Sequence, residues 1–177
     1  MGVLVLGNPV LRETSQLITN FENKNDFIRL KQELEEFRRT NGFGRGIAGI
    51  QIGIRKRIIA LNFGDGPFVI VNPEIVHQGS ELFTMWDDCM SFPDLLVRVQ
   101  RHKTINIRYK DENGNNKEWN VIEQAKAELL QHEIDHLDGI LAIDRAIRKT
   151  DIIYKSEYLK NKRVYDAMVE YGIKATI

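Results

Sequence analysis

Gln131-His132-Glu133-Ile134-Asp135-His136-Leu137-Asp138-Gly139 closes a stretch of helical character predicted to run over about 123–138, with Gly139 as its stop. His132 and His136 stand four residues apart. At that spacing two side chains lie one above the other on a helix face, so both imidazoles can converge on a single cation. Glu133 projects roughly a quarter turn away, placed to reach a water on that cation without taking a ligand position. This HExxH pattern points to a metal-assisted hydrolase, and the rest of the chain has to pack around the helix that carries it.

Upstream, Phe27, Leu30, Leu34 and Phe37 recur at helical spacing between Asn25 and Gly42, which predicts a first helix. Between the two helices lie short β-rich runs at 57–61, 68–71, 95–99, 104–109 and 117–121, with Gly64-Asp65-Gly66 and Asn113-Gly114 as turns between neighbours. Hairpins this close in sequence pair antiparallel. Downstream, 150–171 carries a helical pattern that Gly172 would end. The order predicts an α+β fold, with mostly antiparallel sheets packed around a central HExxH helix and a C-terminal helix after them. One catalytic domain over 1–177 is expected, since a chain of this size can bury roughly 70% of its unfolded surface.

With 42% hydrophobic and 28% charged residues the composition is that of a globular protein rather than a disordered or membrane-spanning one, and no apolar run approaches a span. The first residues carry no basic leader, and Leu6 stands where an N-myristoylation signal wants Ser or Thr, so a cytoplasmic protein without a membrane partner is expected. Basic and acidic residues balance at 25 each, which leaves no global field to gather nucleic acid or anionic lipid. Locally, 144–163 holds Arg145, Arg148, Lys149, Lys155, Lys160, Lys162 and Arg163 against Asp144, Asp151 and Glu157, either a solvated face or a docking surface for something anionic.

A catalytic site of the zinc type needs a third protein ligand and an open position. The metzincin pattern would place a third histidine where Ala142 stands, which excludes that class. Two candidates remain. Glu157 is a glutamate on the following segment, as in thermolysin-like sites, and Cys89 is the single cysteine, unable to form an internal disulfide and suited as thiolate to iron or zinc.

Three motifs in order resemble peptide deformylases: QHEIDHLDG (131–139), DDCMS (87–91) and GRGIAGIQ (44–51), with GNPVLR (7–12) in keeping. The resemblance implies Cys89, His132 and His136 as ligands, commonly of Fe2+ with Zn2+ or Ni2+ as substitutes. It implies Glu133 as general base and acid toward a metal-bound water, and Gln51 and the Met90 N–H as oxyanion donors. Gly46 and Ile47 of the glycine motif would contact substrate, and Arg101 would pair with Asp87. The implied reaction is removal of the formyl group from N-formylmethionyl peptides of nascent chains, with the basic 144–163 segment facing ribosomal RNA.

The chain departs from the family pattern where Asp88 replaces a glycine and where Arg45 and Glu128 replace apolar lining. Glu128 sits one turn before His132 on the same face. A buried charge without a partner is costly, so Arg45 is expected to pair with Glu128 or Asp88, or these side chains with a substrate. The alternative function is a deformylase-like amidohydrolase for a different N-formyl or N-acyl compound with a polar or charged side chain. The sequence does not set the oligomeric state.

Overall fold

The computed structural model describes residues 2–22 and 24–172. Helix α1 (Asn25–Asn41) ends on Gly42 in the left-handed region, φ 73°, as the glycine stop requires. Strands β1 (Gly46–Ala48), β2 (Ile58–Leu61), β3 (Phe68–Gln78), β6 (Ile105–Lys110) and β7 (Asn116–Ile122) form one antiparallel sheet in the order β1-β2-β3-β6-β7. Strands β4 (Leu82–Asp87), β5 (Leu95–His102) and β8 (Ile152–Tyr154) form a second, with β5 central.

Side-chain alternation along a strand explains why β2 and β3 read as unbroken apolar runs. Ile58, Ala60, Val69 and Val71 point to one face, where Phe27, Leu30 and Leu34 of α1 cover them. Ile59, Leu61 and Ile70 point to the other, against Ala127, Leu130, Ile134 and Leu137 of helix α2 (Gln124–Leu137). With both faces covered, no polar alternation is needed. Ten of the fourteen residues of α2 are buried, because α2 also contacts β5 of the second sheet. Phe83, Met85, Val97 and Val99 from β4 and β5 make a third apolar cluster with Leu11, Cys89 and Phe92.

Both expected helices around the HExxH segment and the α+β class hold. The C-terminal helix over 150–171 does not. Ile152–Tyr154 instead adds to the edge of β5, with Leu96 opposite Ile153. Two short helices follow, α3 (Lys155–Lys160) and α4 (Lys162–Asp166), separated by Asn161 at φ −124°, ψ 33°. The chain then returns to β4: the Trp86 indole donates to the Tyr165 carbonyl at 2.9 Å, and Tyr171 N–H donates to the Thr84 carbonyl at 3.1 Å. Tertiary pairing of the Ile-Ile-Tyr run outweighs its local helical pattern. Among the described residues no helix is long and apolar enough to cross a membrane.

Candidate metal centre

Three chain segments meet beside α2. Asp87 ends β4, and Cys89 follows in a turn closed by Phe92 N–H on the Cys89 carbonyl at 3.1 Å. Gln51 lies in a short 3-10 helix, Gly49–Ile52, directly after β1. The N-terminal segment fastens both turns at once: Leu4 N–H donates to the Gln51 carbonyl at 2.7 Å, and Leu6 N–H to the Ser91 carbonyl at 2.8 Å.

The Cys89 Sγ lies 3.2 Å from His136 Nε2, which lies 3.1 Å from His132 Nε2, and all three side chains are buried. The expected trio is thus brought together, with its ligand atoms within 4.8 Å of one another. Glu157 is elsewhere, accepting from Asn161 Nδ2 at 2.7 Å on α3. The donor set fits a first-row divalent cation. His132 Nδ1 sits 3.0 Å from Asp87 Oδ2, so the N–H is on Nδ1 and the lone pair of Nε2 faces the cluster. Burial opposes protonation of His132, yet Asp87 and Cys89 raise it well above the ordinary value, while burial and a charged His132 push His136 well below.

Arg101 holds this arrangement from behind, as the sequence predicts. Its guanidinium donates to Asp87 Oδ2 at 3.1 Å and to Asp135 Oδ2 at 2.5 Å, and Arg145 grips the same Asp135. Burial alone would raise the Asp87 carboxyl, but His132 and Arg101 hold it at about 2. Asp135, inside the HExxH motif itself, has a role that spacing alone does not reveal.

Glu133 is buried, and its Oε2 has no hydrogen-bond partner among the described residues. Burial, opposed by His132, raises its carboxyl to about 7. It lies against Gly46, where a Cβ would come within 3.1 Å of Glu133 Oε1, so any larger residue would have to push Glu133 aside. The Gln51 amide is oriented by its own carbonyl oxygen, which accepts from Ala48 N–H at 2.8 Å. Its Nε2 then points to Ser91 Oγ at 3.2 Å and Cys89 Sγ at 3.6 Å. The Met90 N–H makes no hydrogen bond to a described residue.

The description of the polypeptide deformylase family matches residues 1–151 of this chain. The chain belongs to that family. It is 36% identical over 145 residues to the peptide deformylase of Thermotoga petrophila, covering 81% of this chain and 85% of the relative. The crystal structure of the Thermotoga maritima peptide deformylase superposes with a TM-score of 0.75 at 34% identity, covering 82% of this chain and 97% of that one. That of a Synechococcus elongatus peptide deformylase in complex with actinonin gives 0.76 at 28% identity, covering 92% and 86%. Membership makes the chain a hydrolase of amide bonds that removes N-formyl groups, in a family that uses a divalent metal.

In this deformylase a narrow cavity of about 90 Å³ opens beside the cluster, lined by Gly46, Gln51, Cys89, Met90, His132 and Glu133. Its far wall is charged. Arg45 forms an ion pair with Glu128 Oε1 and donates to the Ala125 carbonyl at 2.7 Å, the first of the two pairings expected for it. Asp88 also lines the cavity, but no described residue hydrogen-bonds or ion-pairs with it. Ile47 differs from expectation. Alternation turns its side chain away from Gly46 and into the α1 side of the sheet, so only its main chain remains available on the edge strand β1. Phe43 and Leu129 supply apolar lining that the motifs did not single out.

Proposed function

We propose that this chain removes the formyl group from N-formyl peptides at the start of nascent chains, with N-formylmethionine as the first residue and with Cys89, His132 and His136 holding one divalent cation, Fe2+ in the cell. The observation that carries the reading is the buried trio with the unpartnered Glu133 Oε2 beside it. A bound cation supplies Lewis acidity, which lets water ionise near neutral pH.

The chain's own residues do the rest. Glu133 takes a proton at its free oxygen from the attacking water and returns it to the departing amine, so the carbon–nitrogen bond breaks and formate and a free amine leave. A carboxyl raised to about 7 suits both halves of that exchange. Gln51 Nε2 and the Met90 N–H are the donors for the oxyanion, each worth on the order of 3 kcal/mol. The edge strand β1 offers main-chain groups to an extended peptide.

The charged wall of Arg45, Glu128 and Asp88 favours a second reading, in which the same chemistry serves an N-formyl or N-acyl compound with a polar side chain. Formate release from formyl-peptides by metal-loaded protein prepared without oxygen tests the reaction. Equal rates for Glu133→Ala and parent would remove the proposed proton transfer, and release of internal fragments instead of formate would identify an endopeptidase. The exposed Lys160, Lys162 and Arg163 are proposed to face ribosomal RNA. Salt-sensitive ribosome binding lost on charge reversal of the three supports this, and salt-insensitive or absent binding removes it.

A further inference from the structure

We infer that the cavity selects a first residue whose side chain ends in N–H donors, a carboxamide or a cationic group, and that Glu128 and Asp88 are the residues that read it. This rests on the second reading above, in which the same hydrolase chemistry serves a substrate with a polar side chain in place of methionine, and names that side chain.

Hydrogen-bonding capacity in this narrow cavity is unevenly matched. Among the residues lining the cavity, Arg45 is the single guanidinium or ammonium group, against the carboxylates of Asp87, Asp88, Glu128 and Glu133. Asp87 is committed to Arg101 and His132, and Glu133 faces the reacting bond. That leaves Glu128 and Asp88. Arg45 satisfies only Oε1 of Glu128, and its second bond goes to the Ala125 carbonyl. Glu128 Oε2 and the Asp88 carboxylate, on two residues that line the cavity, therefore accept from no described residue.

A thioether entering this space would displace water from those oxygens and return no hydrogen bond, and each buried acceptor left dry is costly. An acidic side chain would add a further negative charge beside two carboxylates. A primary amide or an ammonium brings two or three N–H groups that both carboxylates can accept. Sites built to hydrogen-bond a substrate group discriminate strongly against analogues that lack it. Lys155, which lines the neighbouring pocket together with Asp88, acts on that carboxyl only through space: no hydrogen bond or ion pair joins them, and its Nζ stands over the Phe43 ring, 5.1 Å from the centroid.

The test uses the metal-loaded full chain at about pH 8 with formyl-X-Ala-Ser peptides in which X is methionine, norleucine, glutamine, lysine or glutamate. The expected result is a kcat/KM for glutamine or lysine at least about ten times that for methionine and norleucine, with glutamate lowest. The double variant Arg45→Ile/Glu128→Ile is expected to reverse the order toward methionine. Because that variant changes buried residues, Asp88→Asn and Glu128→Gln are run beside it, each expected to lower the lysine-to-methionine ratio several-fold. Calorimetric binding of the deformylated products Lys-Ala-Ser and Met-Ala-Ser gives a readout independent of turnover. A methionine preference in the parent, or a ratio unmoved in both single variants, overturns the inference while leaving the hydrolase reading intact. No formate from any peptide, with product binding also absent, overturns both.

Discussion

Glu133 and Glu128 stand on one helix five residues apart, each with its carboxyl raised to about 7 chiefly by burial, yet the consequences differ. For Glu133 the raised value suits the proposed proton exchange, so Glu133→Gln is expected to cut formate release by roughly 10²–10⁴-fold while leaving the metal content, measured by elemental analysis, unchanged. Gln51→Ala, which removes one of the proposed oxyanion donors, is expected to lower kcat by about 10²–10³-fold with KM little changed. Glu128 has no proposed part in that exchange, and its shift is read in stability. Its folded value lies above the ordinary 4.5 even with Arg45 beside it, so the folded state is favoured below about 4.5 and loses stability as pH rises toward about 7, by up to ~3 kcal/mol. Urea unfolding of parent and Glu128→Gln from about pH 4.5 to 8 should show a decline in both, because Glu133 is also raised to about 7, and a steeper one in the parent; parallel curves would mean the Glu128 carboxyl titrates normally.

Between elements, the centre depends on close approach of β1 to α2. A methyl at position 46 would press on both Glu133 and Leu61, so Gly46→Ala is expected to lower kcat through a displaced Glu133 with a smaller loss in unfolding free energy. The opposite balance is expected at Gly139. There φ is +72° and an added Cβ would stand 2.5 Å from the Arg12 carbonyl, so Gly139→Ala should lose about 1–3 kcal/mol of stability by loosening the N-terminal segment from the end of α2. Denaturant melts, read together with kcat, separate the two cases. The helices α1 and α2 were legible because glycine stops and apolar spacing act locally. Strand β1 was not, since Gly46-Ile47-Ala48 is too short to show a period and becomes a strand only by pairing with β2.

Across the whole molecule, the centre joins parts that are distant in sequence: the sulfur is held by a turn of the three-stranded sheet, and the imidazoles by a helix packed on the five-stranded one. A cation that bridges them binds only the folded chain, so saturating metal is expected to raise unfolding free energy by about 3 kcal/mol at a hundredfold excess over Kd. Chelation should reverse the gain, and Cys89→Ala should show none of it in a thermal melt. The sequence by itself determined the HExxH helix and the antiparallel α+β class, because spacing and glycine stops act locally, while the grouping of Cys89 with His132 and His136 and the Arg101–Asp87 pair were legible only through the resemblance of its ordered motifs to a family. The tertiary structure alone decided that Arg45 pairs with Glu128 rather than Asp88, that Ile47 turns from the cavity, and that the 150–171 segment becomes β8 and two short helices. Each of those outcomes rests on which distant partner a side chain or strand edge meets, and contact across the fold outweighs local preference wherever the local signal is weak.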